Sequence, residues 1–245
     1  KETWRGEKIS DYVKDIIVQV QGDENINVLL NAYIQDVDGF VGNFKTSVQA
    51  DIETVLEHGI TIIACGAEEF KPDDYLYGVD PRVMTGLELQ DKLKADRAFD
   101  AGRAAVFGRC VGSRIAQRPY CSKICCSQSI RSALDLKSNC PELDIFILYR
   151  DLRSYGLRED LYRNARDQGI KCIRYNNERG ITVAAAENGL EINFTDRVLR
   201  RPMRIHSDLL ILASAVVAQK DNPLAQLYKV PQNDDGFFAE AHVKL

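Results

Sequence analysis

The sequence predicts an α/β protein in which a Rossmann-like parallel domain interrupts a second domain. Three observations predict it. Residues 103–175 alternate short apolar strands with helical stretches in the order β-loop-α-β-α-β, the order of a doubly wound sheet. Two apolar runs, GITIIACG at 59–66 and DLLILASAVVA at 208–218, flank that region and read as buried strands that echo one another. The 245 residues, 45% hydrophobic and 28% charged, supply enough chain for one large or two small domains. The boundary falls near residues 98–104, with a return near 205–210. This divides the chain into a split domain, 1–102 with 206–245, and an inserted domain, 103–205.

The elements follow in order. Ile9, Val13, Ile16, Ile17 and Val20 recur at helical spacing across residues 7–21, which predicts an amphipathic helix. INVLLNAYIQDVDGFVGNFKTSVQA breaks into strand pieces at GFVGN, with Gly39 and Gly42 at the turn. A Pro- and Asp-rich loop follows the run at 59–66, and residues 85–99 read as a helix. The inserted region then gives a strand (AAVFGRC), a loop, and a helix over residues 122–138. After them come a strand (DIFILYR), a helix (REDLYRNARDQG) and a strand (KCIRY). ITVAAAENGLEINF is a hairpin with Asn188-Gly189 at its turn.

Bulk properties exclude several classes. A net charge of −4 argues against a general nucleic-acid binder. No apolar run approaches the ~18 residues of a membrane span, and KETWRGEKISDY lacks the apolar core of a signal peptide. Seven cysteines form an odd set with no regular framework, which points to a reducing compartment and a cytoplasmic location. The chain opens on Lys1 and stops on AHVKL, which reads as a piece of something longer. His58, His206 and His242 are scattered and read as non-ligands. No nucleophile elbow, P-loop or zincin motif is present.

Chemistry concentrates in CVGSRIAQRPYCSKICC, residues 110–126. On the predicted elements Cys110 ends a strand, and Cys121, Cys125 and Cys126 occupy the first turns of the next helix. Cys121 and Cys125 would then share a face. The crevice beyond the strand ends is where doubly wound sheets bind ligands, and a helix N-terminus favours negative charge. Arg109, Arg114, Arg118 and Lys123 add positive potential. Four thiolates match the ligand count of a 4Fe–4S cluster. Structural zinc also takes four, though in C-x2-4-C knuckles. Buried or regulatory thiols are the third reading, so spacing alone leaves cluster, zinc and inert cysteines all open. Cys140 and Cys172 read as structural. The loop at 151–156, with Arg150 and Arg153, reads as a solvated loop or a phosphate or partner site. Where a dinucleotide fold needs G-x-G-x-x-G the chain has GRCVGSR, and DIFILYR ends in Tyr149 and Arg150 instead of an acid. Both argue against an ordinary NAD site.

CVGSRIAQRPYCSKICC, the run from Ala133 to Tyr175 and KVPQNDDGFFAEAHVKL together resemble the A-subunit family of heterodisulfide reductases. That family includes subunits of quinone-interacting membrane-bound oxidoreductases and of aromatic-acid-degrading complexes. NINVLLNAYIQDVDGFVGNF, ITIIACGAEEFKP and YGVDPRVMTGLEL extend the resemblance over nearly the whole chain. It implies a thioredoxin-reductase-like flavoprotein whose FAD domain is interrupted by a nicotinamide-type domain that has lost its nucleotide. It also implies a 4Fe–4S cluster on the positions matching Cys110, Cys121, Cys125 and Cys126, relaying electrons to and from FAD. Partner subunits and electron-carrier proteins follow from the same resemblance, and no side chain is implied as acid, base or nucleophile. The family's early flavin-contact segment and its closing strand have no counterpart here. FAD is therefore expected of the full-length protein, and this stretch alone is expected to be inactive. Ala64, Cys65 and Gly66 stand where the family usually has Ala-Thr-Gly beside the flavin. The competing reading is a docking module whose cysteines bind zinc or no metal.

Overall fold

A computed structural model describes residues 8–96 and 99–240. The chain divides into two compact units, Lys1–Glu68 with Val217–Leu245 and Glu69–Val216.

In the first unit the helical spacing gives α1 (Ile9–Gly22), yet none of its residues is buried, so the apolar stripe lies exposed. The strand pieces form an antiparallel meander of β1 (Tyr33–Phe40), β2 (Asn43–Gln49) and β3 (Glu53–His58). Phe40 pairs with Asn43 across a tight turn. Gly39 enters that turn at φ 92°, where a Cβ would lie 2.1 Å from the Asn43 carbonyl oxygen, so only glycine fits. The meander closes over the stacked rings of Phe44 and His58, and Thr46 Oγ1 lies 2.8 Å from His58 Nε2.

The run at 59–66 corrects the expectation of a buried strand. No sheet partner pairs with it among the described residues, and Ile60 and Ile62 are 77% and 88% exposed. An apolar run makes a buried strand only when neighbouring backbone satisfies its N–H and C=O groups. The chain then passes through β4 (Glu68–Glu69) into the second unit.

That unit contains β5 (Val83–Thr85), α2 (Gly86–Ala95), β6 (Ala104–Val111), α3 (Cys125–Asn139), β7 (Asp144–Tyr149), α4 (Glu159–Asp167) and β8 (Lys171–Arg174). The remaining strands are β9 (Ile181–Ala186), β10 (Gly189–Thr195), β11 (Pro202–Ser207) and β12 (Leu209–Ser214). Beyond it come β13 (Val216–Val217) and α5 (Leu224–Leu227). Five strands form a parallel sheet in the order β5-β12-β6-β7-β8. Period-two alternation divides their side chains between two cores. Phe107, Ile145, Ile147 and Ile211 face α2 and α3, meeting Leu89, Ile130 and Leu136. Val106, Leu148, Leu210 and Leu212 face the antiparallel sheet β11-β10-β9, meeting Leu190, Ile192 and Phe194. With both faces covered, the strands read as continuous apolar runs, and each fully buried side chain contributes about 1.5–3 kcal/mol.

The second compact unit therefore extends beyond residues 103–205. β12 lies between β5 and β6, so β5 and β12 belong to this sheet and α2 to the same compact unit, although all three were expected in the flanking domain. The β9–β10 turn falls at Glu187-Asn188, one residue early, because Ala186 pairs with Gly189. The helix expected over 85–99 ends at Ala95 on its C-cap, and Arg97 and Ala98 lie outside the described residues, as does the apolar AHVKL terminus with His242.

α2 begins at a capping box: Thr85 Oγ1 accepts from the Glu88 N–H, and the Glu88 carboxylate accepts from the Thr85 N–H at 2.8 Å. Glu88 also accepts from Tyr77 at 2.6 Å and from Lys71 at 2.9 Å. Desolvation opposes its ionisation, but the bonds from Tyr77, Thr85 and Lys71 outweigh that and hold its pKa at about 2. A depressed folded-state pKa stabilises fully above the unfolded carboxylate value of about 4.3, and that stability disappears as pH falls toward 2. Urea unfolding of Glu88→Gln against the parent is expected to show a stability deficit at pH 7 that closes by pH 2. A deficit independent of pH would show that the carboxylate's charge is not what matters.

Candidate functional site

β6 pairs with β12 in register from Leu209↔Ala105 to Leu212↔Gly108, and resumes at Ser214↔Val111. Arg109 and Cys110 therefore face the single residue Ala213 across a β-bulge, a device that re-aims a side chain. Cys110 sits in it at φ 61°, the left-handed region that favours glycine, and is buried. Ala213 packs on Cys125 and Cys126. The bulge places the backbone of Cys110 opposite Ala213, and the buried cluster there is formed by Ala213, Cys125 and Cys126.

The intervening loop is built from its own hydrogen bonds. Ile115 and Arg118 exchange backbone bonds of 3.1 Å, and the Arg114 N–H donates to the Tyr120 carbonyl. Tyr120 Oη donates to the Val216 carbonyl at 2.8 Å, and Ser122 Oγ accepts from the Val216 N–H at 3.0 Å. Arg118 donates to the Gly112 carbonyl and lies 4.1 Å over the Phe70 ring. Gly112 (φ 77°), Arg114 (φ 58°) and Lys123 (φ 62°) all take left-handed backbone. Such strain clusters where a site over-determines its backbone.

The left-handed turn at Lys123 starts α3 at Cys125, so Cys121 lies in the loop and not on the helix. Its expected same-face relation to Cys125 is corrected accordingly. Cys121 Sγ instead accepts the Lys123 N–H at 3.4 Å. Cys125 and Cys126 are the first two residues of α3, where the helix dipole favours thiolate. Cys110, Cys125 and Cys126 are buried, Cys121 is half-buried, and none of the four is in a disulfide.

The loop after β7 closes over the same place. The Arg153 N–H donates to Cys126 Sγ at 3.4 Å, and Cys126 Sγ lies 4.0 Å from the Asp151 carbonyl oxygen. Asp151 accepts from Arg114 at 2.7 Å and from Arg174 at 3.1 Å. The Arg114 guanidinium, aided by Arg174 and Arg153, holds the Asp151 carboxyl below the ordinary range against desolvation. Partial burial opposes the charge on Arg114, but Asp151 and Cys110 hold its pKa above the usual arginine value. The sequence points to Arg114 beside the cysteines and to Asp151, Arg150 and Arg153 as a separate loop, and it does not single out Arg174. The position of Arg174 at the carboxyl end of β8 was the available signal. The side chain of Arg109 lies outside those described.

The donor set suits a thiolate-ligated group: cysteines at a helix N-terminus and backbone N–H donors on the sulfurs of Cys121 and Cys126. Among the described residues, no group of three or more His, Cys, Asp or Glu gathers closely enough to hold a single metal ion. Ala64, Cys65 and Gly66 lie on the extended run in the first unit. Cys65 Sγ accepts from Asn222 Nδ2 at 3.1 Å, its carbonyl accepts from Gln219, and a Cβ on Gly66 (φ 76°) would meet nothing within 4 Å. The Cys140 N–H donates to the Leu136 carbonyl at the end of α3, and Cys172 lies on β8.

Comparison with known proteins places this chain in a lineage. The iron-sulfur A-subunit of the CoB–CoM heterodisulfide reductase of Methanocaldococcus jannaschii is 34% identical over 211 residues, 79% of this chain and 32% of that protein. The chain belongs to the A-subunit family of heterodisulfide reductases. A Methanococcus maripaludis relative, named as the A-subunit of an H2/formate:CoB-CoM heterodisulfide,ferredoxin reductase, is 32% identical over 211 residues. The chain spans about a third of the length of these heterodisulfide reductase subunits. No protein-family model matches it. Its fold is that of thioredoxin-reductase-like flavoproteins. T. acidophilum thioredoxin reductase matches with a TM-score of 0.56 at 11% identity, covering 94% of this chain and 66% of that one. The FAD-bound cadaverine monooxygenase DfoA of Erwinia amylovora matches with 0.56 at 9% identity, covering 95% and 65%. Among the described residues no helix is long and apolar enough to cross a membrane.

Proposed function

We propose that this chain is the electron-transfer part of a cytoplasmic heterodisulfide-reductase-type oxidoreductase. In this reading Cys110, Cys121, Cys125 and Cys126 hold a 4Fe–4S cluster that exchanges electrons with FAD bound by the full-length protein. The observation that supports it is the strained bulge that sets the backbone of Cys110 opposite Ala213, the residue on which Cys125 and Cys126 pack. The names of the relatives, which include an iron-sulfur subunit, support it. Residues 64–66 are assigned to the flavin's vicinity by family resemblance. The second unit is read as the degenerate nicotinamide-type domain, and the first as part of the FAD domain. Partners are the other subunits of such a complex and electron-carrier proteins.

The cluster, when bound, supplies one-electron chemistry. The chain's own residues do the rest. The four thiolates would bind the cluster, and the α3 N-terminus and the Arg153 and Lys123 N–H groups would stabilise sulfur charge. A docking module with zinc or no metal is the second reading, favoured by the absence of a tight ligand group among the described residues. Anaerobic purification with iron and acid-labile sulfide analysis separates the two. About four irons and four sulfides per chain, lost in Cys125→Ser, are expected. Zinc at about one per chain, or no metal after reconstitution, overturns the relay.

A further inference from the structure

Asp151 is crowded by guanidiniums beyond what one carboxylate can neutralise. Arg114 lies at 2.7 Å, Arg174 at 3.1 Å and Arg153 at 3.9 Å, leaving a local excess of positive charge beside the thiols. Arg114 is also fixed along its backbone. Its N–H donates to Tyr120, and its carbonyl accepts from Arg150 Nη1 at 2.8 Å. Arg150 is anchored in turn on the Tyr175 hydroxyl at 3.2 Å. Arg174 Nε donates to the Arg150 carbonyl at 2.8 Å, closing the frame. The Arg114 side chain is 23% exposed, and Asp151 and the Cys110 thiol both favour its positive charge. A charge held this way needs no reorganisation when the charge beside it changes.

We propose that Arg114, clamped by Asp151, is a positioning residue that fixes a positive charge against Cys110 and biases the group held on the thiols toward its reduced form. This rests on the relay reading. Reduction there adds one electron, delivered by reduced flavin, and one negative charge, with no bond made or broken. Net charge and hydrogen bonds to sulfur are the protein's levers on such potentials.

Redox titration of the anaerobically purified protein, followed by electron paramagnetic resonance, tests it once the signal has been assigned by its loss in Cys125→Ser. Arg114→Gln is expected to shift the one-electron equilibrium about tenfold toward the oxidised form, about 59 mV more negative, with iron and sulfide content unchanged. Arg114→Lys, which keeps the charge, is expected to recover most of that shift. An unshifted potential in Arg114→Gln, or equal shifts in both variants, overturns the proposal. A second measurement does not depend on the glutamine variant folding or loading. Protein grown with guanidino-15N arginine is expected to show 15N coupling on the reduced signal that disappears in Arg114→Lys, and no coupling in the parent overturns the proposal. Absence of any Cys125-dependent signal in the parent overturns the relay reading itself.

Discussion

Cys110→Gly is expected to fold about as stably as the parent chain and to take up no cluster. At φ 61° an L residue costs about 1–2 kcal/mol that glycine does not. Against this stand the lost packing of a small buried thiol and glycine's greater freedom when unfolded, about 0.4–1 kcal/mol. The terms nearly cancel, so thermal unfolding of the metal-free proteins should agree to within about 1 kcal/mol. Iron and sulfide, by contrast, should fall from about four of each per chain to none. A position where backbone geometry asks for glycine and the sequence supplies cysteine is one where the thiol itself is wanted. Full iron content in the glycine variant would remove Cys110 from the ligand set. A collapse in stability would show that its role is packing.

Gly112→Ala is expected to cost about 2–4 kcal/mol, the sum of a left-handed residue and an overpacked contact. Gly112 has φ 77°, and a Cβ there would lie 2.2 Å from Phe70 Cδ1 and 2.4 Å from Cε1. The ring has little room to retreat, because Arg118 covers it at 4.1 Å while donating to the Gly112 carbonyl. A melting-temperature fall of roughly 5–15 °C follows for a unit of this size. Phe70→Ala in the same chain is expected to restore part of the loss, since the overlap would be gone and only the backbone cost would remain. Additive losses in the double variant would place the strain elsewhere.

The parallel sheet was readable because β6, β7 and β12 are buried on both faces and so spell continuous apolar runs. The helices α3 and α4 follow at the spacing that a crossover requires. The short edge strand β5 was missed because three residues carry no period, and with it went the full extent of the second compact unit. The run at 59–66 has the composition of a buried strand and no pairing partner among the described residues. Composition reports what a segment can bury, not whether a neighbour is present to receive it. At the site, the cysteine spacing drew attention to the right residues. It could not reveal that Cys110 rides a bulge, that Lys123 turns the chain before α3, or that Asp151 reaches Arg114 across 37 positions. Those features depend on left-handed backbone at non-glycine residues and on long-range pairing, neither of which leaves a periodic trace.

A bulge is a single-residue insertion. On one side of it β6 and β12 keep their pairing through Leu212↔Gly108, and on the other they resume it at Ser214↔Val111. Removing that one residue would therefore leave a plainly paired strand with one thiol fewer, with the pairing on either side still in register.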